Sequence, residues 1–289
     1  MVPRRFRSLS VLAVAGALLF ALNACTITPN TYVALGDSYA AGPLISDQVS
    51  PLGCLRSNHN YASLIAPTLG LPGFTDVTCS GAETPEMFTA QNVTPGPANP
   101  PQLDSINPST KVVTLQIGGN DIGFSSIVKN CVNLDPTATP CKEDYAKPDG
   151  GDTITDAIAT TRPKLAAVIQ SIHSRNATAR VLVIGYPAIL PDTGTGCWPA
   201  VPILAPDVVY LRGKEKELNA MIKLVSGNNG ATYVDTYLPT VGHDACASNS
   251  EKWIEGVLPS TVAAPVHPNA AGMRALATII GPSVRAAAA

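Results

Sequence analysis

Lys111-Val112-Val113-Thr114-Leu115-Gln116-Ile117 is a nearly continuous apolar run, and it halts at Gly118-Gly119-Asn120-Asp121. A strand apolar on both faces belongs inside a sheet covered by helices on either side, as parallel sheets are. Arg180–Ile184 is a second run of this kind, and shorter ones lie at Thr31–Leu35, Thr75–Cys79 and Thr232–Asp235. Between them, Leu165, Val168, Ile169 and Ile172 recur at helix spacing, as do Leu211, Leu218, Ile222 and Val225. Pro163 predicts a helix break or start there rather than a helix interior. A final helix is expected from Asn269 to about Ile280, with Pro268 near its first position, where a missing N–H does no harm. Strands alternating with helices predict an α/β sandwich built around a five-stranded, mostly parallel sheet. Its site should lie beyond the carboxyl ends of the strands.

The composition agrees with one large domain. Of 289 residues, 45% are hydrophobic, enough for a sizeable core, and 26 prolines with 23 glycines point to long, ordered surface loops. No internal repeat or low-complexity linker divides the chain, so residues 25–289 read as a single domain. The formal net charge is -2, and setting aside Arg4, Arg5 and Arg7 leaves 16 basic residues against 21 acidic ones. That balance excludes a nucleic-acid role, which needs a basic patch to neutralise phosphates.

Those arginines precede an uncharged apolar run of 12 residues, Val11–Leu22. It is too short to span a bilayer and suits the apolar region of a secretory signal, so residues 1–24 are read as a signal peptide of an exported bacterial protein. Leu22-Asn23-Ala24-Cys25 resembles a lipobox, in which Cys25 becomes lipid-modified and attaches the chain peripherally to a membrane. Without Cys25, six of the seven cysteines remain: Cys54, Cys79, Cys131, Cys141, Cys197 and Cys246. Six in an exported chain suggest three disulfides, with 15 pairings open. Sequence order suggests the neighbours Cys54–Cys79, Cys131–Cys141 and Cys197–Cys246. No C-x-x-C pair speaks for zinc or redox chemistry, and no metal or other cofactor is expected.

Chemistry-bearing residues gather at the predicted strand ends. The first run ends in Gly36-Asp37-Ser38-Tyr39, the second in Cys79-Ser80-Gly81-Ala82 and the third in Gly118-Gly119-Asn120-Asp121, while His267-Pro268-Asn269 precedes the last helix. Singly, each has a plain structural reading: Ser38 as a helix cap, Gly81 as a positive-φ turn, Asn120 as a turn residue and His267 as a solvated group. Together and in this order they carry more.

The set resembles the SGNH hydrolases, the GDSL esterase/lipase family. Gly36-Asp37-Ser38 matches its first motif, Gly81 the second, Gly118-Gly119-Asn120-Asp121 the third and His267-Pro268 the last, over Tyr32 to about Leu276. The six cysteines, Gly242-His243-Asp244-Ala245-Cys246 and the run at 267–272 are similar to its secreted actinobacterial-type lipases. The resemblance implies a flavodoxin-like three-layer α/β/α sandwich and carboxylic-ester hydrolysis through a Ser38 acyl-enzyme. It implies His267 as base and an oxyanion hole from the Ser38 N–H, the Gly81 N–H and the Asn120 side chain. Many members place an aspartate three residues before the histidine; Ala264 stands there, so the Ala264 carbonyl is expected to orient the imidazole in a Ser38–His267 dyad. Asp235 and Asp244 are the remote carboxylates that could complete a triad instead. The expected partner is a small-molecule or lipid ester, and the expected state a monomer. A phospholipase, a carbohydrate acetylesterase and a non-catalytic lipoprotein that binds an acylated or glycan ligand are the alternatives. The connection Ile122–Pro163 is expected to wall the pocket. Trp198 and Trp253 are either acyl-pocket or packing residues, and His243-Asp244 shapes a disulfide-pinned loop. Asp37 braces the nucleophile turn, and Glu83 and Glu86 are first-turn carboxylates.

Overall fold

The computed structural model describes residues 31–289, together with Met1; the rest of the leader (2–24) and the lipobox Cys25 lie outside the described residues. Five strands, β1 (Tyr32–Gly36), β2 (Phe74–Asp76), β3 (Val112–Gln116), β4 (Arg180–Ile184) and β5 (Thr232–Val234), form one sheet in the order β2-β1-β3-β4-β5. Every pairing in it is parallel. The register sets Tyr32 beside Val112 and Gly36 beside Gln116, so Asp37 and Ile117 leave the sheet together at one edge.

Alternation along the strands sorts the core into two layers. Val33, Leu35, Val113, Leu115, Val181 and Val183 point to the face that long helices α4 (Thr153–Arg175) and α5 (Ala205–Asn228) cover. Tyr32, Ala34, Val112, Leu182 and Ile184 point the other way, against α2 (Tyr61–Ile65) and α6 (Ala270–Ala288). The remaining helices used below are α1 (Ser38–Ala41), directly after β1, and α3 (Phe124–Cys131), in the connection after β3. Among the described residues no helix is long and apolar enough to cross a membrane.

Pro163 neither breaks nor starts a helix: α4 runs through it. Both Pro163 and Ala159, whose carbonyl loses its intrahelical partner, face solvent, where water can replace that bond. Ile154, Ile158, Leu165, Val168, Ile169 and Ile172 are buried on either side of the proline and hold both halves to the sheet. The three disulfides are the neighbouring pairs Cys54–Cys79, Cys131–Cys141 and Cys197–Cys246. The first ties the segment after β2 to the loop after α1, and the second closes a ten-residue separation in the wall over the sheet.

Candidate active site

The turn from β1 into α1 is built around Gly36. A Cβ there would sit 2.6 Å from the Gln116 carbonyl oxygen, and φ is +154°, so no other residue fits without displacement. The buried Gln102 side chain clamps the same residue, its Oε1 accepting from the Gly36 N–H at 2.8 Å and its amide donating to the Gly36 carbonyl at 3.0 Å. Asp37 caps α1 by accepting from the Tyr39 N–H at 2.9 Å. Ser38 is therefore the first residue of a short helix, held at the carboxyl end of a central strand.

His267 arrives from the opposite end of the chain on the loop before α6. Ala264 donates its N–H to the Pro43 carbonyl at 3.1 Å, and Val266 to the Gly256 carbonyl at 3.2 Å, which lay the loop across the mouth of the α1 turn. The imidazole Nε2 stands 2.8 Å from Ser38 Oγ, and Nδ1 stands 2.7 Å from the Pro265 carbonyl oxygen. A carbonyl can only accept, so Nδ1 carries the proton and Nε2 presents its lone pair to the hydroxyl. The orienting carbonyl is thus that of Pro265, not the expected one of Ala264. Val266 turns the chain with φ +61°, bringing the 265 oxygen under the ring, while the Ala264 oxygen accepts the His267 backbone N–H at 3.3 Å. Asp235 and Asp244 bond to the N–H groups of Tyr237 and Cys246, and among the described residues no carboxylate pairs with His267. Tyr39 packs on the imidazole with ring centres 4.8 Å apart and donates its hydroxyl to the Val266 carbonyl at 2.6 Å.

On the other side of Ser38, the Gly81 and Asn120 turns meet. Gly81 has φ +79°, and the Asn120 side-chain amide donates to the Ala82 carbonyl at 2.9 Å, tying the two loops together and leaving its second N–H uncommitted there. Asp121 anchors the same junction by accepting from the Thr84 N–H at 2.9 Å. Behind them, Tyr186 accepts from the Gly119 N–H at 2.8 Å and donates to the Asp37 carboxylate, joining the serine turn to the asparagine turn. Glu83 and Glu86 form a capping box on the short 3₁₀ turn at Thr84–Met87.

Burial shapes the titration of both ends of the site. It pushes the Asp37 carboxyl up to about 7, against the opposing bonds from Tyr186 and the Tyr39 N–H. It pushes His267 below the ordinary imidazole value of 6.5, with the Pro265 carbonyl pulling the other way. A base must be neutral to take a proton, so lowering its pKa extends activity to lower pH. The acid limb of kcat/KM is expected to have its midpoint below 6.5, the value from which burial lowers His267, and to stay in place in Asp37→Asn. A pH–rate profile with a midpoint at or above 6.5, or one that follows the Asp37 substitution, overturns this.

Beside Ser38 and Asn120 opens an apolar cavity of about 80 Å³. Ile122, Phe124, Ile127 and Val128 wall it from the connection after β3, and Leu211 and Leu218 from α5. Trp198 and Trp253 do not line it; Trp253 stacks on His243 with centres 3.5 Å apart, and the Trp198 indole donates to the Asn133 carbonyl. A hydroxyl touching an imidazole, at a rim lined by a free amide N–H and opening on an apolar slot, is suited to acyl transfer from an apolar ester.

Residues 34–275 match the model of the GDSL-like lipase/acylhydrolase family. The chain belongs to that family. This GDSL-family protein is 40% identical over 257 residues to Lipase 2 of Streptomyces coelicolor, covering 85% of this chain and 83% of that one. Among solved structures it resembles phospholipase A1 from Streptomyces albidoflavus NA297, with a TM-score of 0.71 at 26% identity over 88% of this chain and 98% of that one. It also resembles an extracellular lipase from Streptomyces rimosus, with a TM-score of 0.64 at 26% identity over 86% and 98%. It is a serine ester hydrolase of the lipase/esterase class.

Gln102 and Tyr186 were not visible as site residues in the sequence of this GDSL-family chain. Tyr186 did carry a signal: it follows β4 at its carboxyl end, on the same rim as the others. Gln102 carried none, since its partner is a glycine backbone 66 residues away.

Proposed function

We propose that the protein is an exported lipase/esterase that cleaves esters of aliphatic acids through an acyl-enzyme on Ser38. The observation that supports this best is the 2.8 Å contact between Ser38 Oγ and His267 Nε2 at the mouth of the apolar cavity. His267 takes the Ser38 proton as the hydroxyl attacks the ester carbonyl, then returns it to the departing alcohol; the same base next activates water to release the acid. The Pro265 carbonyl keeps the imidazole in the tautomer that can accept. The developing oxyanion is met by the N–H groups of Ser38 and Gly81 and by the second Asn120 N–H. Tyr186 and Gln102 keep these donors in register.

The acyl chain lies in the cavity between α3 and α5, and the alcohol side faces solvent. Export accords with the leader, with three disulfides and with the extracellular enzyme of Streptomyces rimosus that the fold resembles. The chain acts as a monomer on this reading, whether released or held at a membrane through Cys25.

Each methylene moved from water into the cavity contributes about 0.8 kcal/mol, so kcat/KM should rise about fourfold per CH₂ until the cavity is full and then level off. Initial rates on p-nitrophenyl esters from acetate to palmitate measure this. A maximum at acetate would replace the reading with an acetylesterase, and no turnover at all with a binding protein.

A further inference from the structure

Glu255 is fully buried, and among the described residues it pairs with no cation. Its carboxylate instead gathers four neutral donors. Oε2 accepts from the Ser260 N–H at 2.7 Å and from the Ser260 hydroxyl at 3.0 Å. Oε1 accepts from the Thr261 hydroxyl at 2.8 Å and from the Asn269 side-chain amide at 2.9 Å. Burial pushes against the charged form, but the bonds from Asn269, Ser260 and Thr261 outweigh it and hold the carboxyl below the usual glutamate range.

The placement of these donors is what matters. Ser260 and Thr261 lie in the loop upstream of His267, and Asn269 lies just downstream, where it caps α6 by accepting from the Gly272 N–H at 2.9 Å. The Glu255 N–H itself donates to the His267 carbonyl at 2.9 Å. One residue therefore grips the histidine segment before, at and after the imidazole. The segment 256–266 contains no charged residue, and among the described residues no carboxylate pairs with the imidazole.

We propose that Glu255 is a positioning residue for ester hydrolysis: its carboxylate fixes the 256–266 loop, and through it the Pro265 carbonyl, so that His267 Nε2 faces Ser38. The carboxylate that a triad would set on the imidazole acts here one step back, on the backbone that carries the imidazole's acceptor. This rests on the assignment of Ser38 and His267 given above. Because Glu255 does not touch substrate, its loss should lower turnover and spare binding.

The test uses the purified full chain, with p-nitrophenyl butyrate hydrolysis, the rate of Ser38 labelling by a fluorophosphonate, and thermal melting. Glu255→Gln keeps the shape but can satisfy only part of the donor set. Its kcat should fall about 10²-fold with KM changed less than about threefold, and fluorophosphonate labelling should slow in step, as expected for a misplaced reacting group. Ser260→Ala/Thr261→Val removes both hydroxyl donors, leaves the carboxylate on Asn269 and the residue-260 N–H, and loosens its hold on the loop; it should lose about tenfold in kcat by the same route, with its melting temperature close to wild type. Glu255→Gln with kcat within about twofold of wild type overturns the proposal, as does a loss carried by KM. Should Glu255→Gln not fold, the double variant decides alone, and unchanged turnover in it overturns the proposal. Ser38→Ala serves as control: activity there sinks the nucleophile assignment instead, and is a separate failure.

Discussion

Ser38→Ala is expected to lose at least about 10⁴-fold in kcat on p-nitrophenyl butyrate while remaining folded, because no other hydroxyl replaces the nucleophile. His267→Ala should fall by a similar factor, and the double variant should be little worse than either single one. On the proposed mechanism the two groups act as one unit: a hydroxyl without its base is inert, and a base without its hydroxyl has nothing to activate. Ser38 Oγ and His267 Nε2 are 2.8 Å apart, so the unit already exists in the resting geometry. Asp235→Asn and Asp244→Asn, whose carboxylates bond to backbone N–H groups elsewhere, should keep most of the activity. Steady-state rates on the five variants decide. Wild-type turnover in Ser38→Ala would end the acyl-enzyme reading, and a drop of about 10⁴-fold in either aspartate variant would mean that a carboxylate reaches the imidazole during the reaction.

The second large effect belongs to Asn120. Asn120→Ala removes the side-chain donor expected at the oxyanion and should lower kcat by 10²–10³-fold, about 2.7–4 kcal/mol of transition-state stabilisation. KM should change little, since charge builds on the carbonyl oxygen only as the bond forms. Asn120 also ties down the Ala82 carbonyl, so its loss loosens the Gly81 turn as well. Asn120→Asp separates these roles: it restores the size but puts a negative charge where one is developing, and should be no better than alanine. A kcat loss below about tenfold in Asn120→Ala would show that backbone N–H groups carry the oxyanion without it.

Much of the framework was legible because its physics is local. Val112–Gln116 and Arg180–Ile184 must be apolar on both faces to sit between two helix layers, and they read so. The run Thr75–Cys79 overlaps β2 only at Thr75 and Asp76, but its later part stays alongside β1, where Val77 and Cys79 donate to Ala34 and Gly36. Pro163 does not end α4, because Ile154 and Ile158 before it and Leu165, Val168, Ile169 and Ile172 after it are all buried and override its low helix propensity. In the site, Ser38 and His267, 229 residues apart, could be joined only through motifs that resemble a known family. Gln102, Tyr186 and Glu255 went unnoticed for a different reason. Gln102 and Tyr186 bond to atoms distant in sequence, and Glu255 to a nearby loop whose shape only the fold sets; a single polar residue in a loop carries no periodicity to betray either. The Ala264 carbonyl was one residue off because a left-handed Val266 is a property of the folded loop, not of spacing.

The acceptor that holds the imidazole's tautomer is a main-chain oxygen at position 265, and all twenty amino acids bring one. Side-chain chemistry at that position can therefore drift without erasing the acceptor, whereas a triad aspartate tolerates almost no exchange. What this arrangement does not tolerate is a change of length: one residue added or removed between Glu255 and His267 would swing the oxygen away from the ring, however conservative the inserted residue.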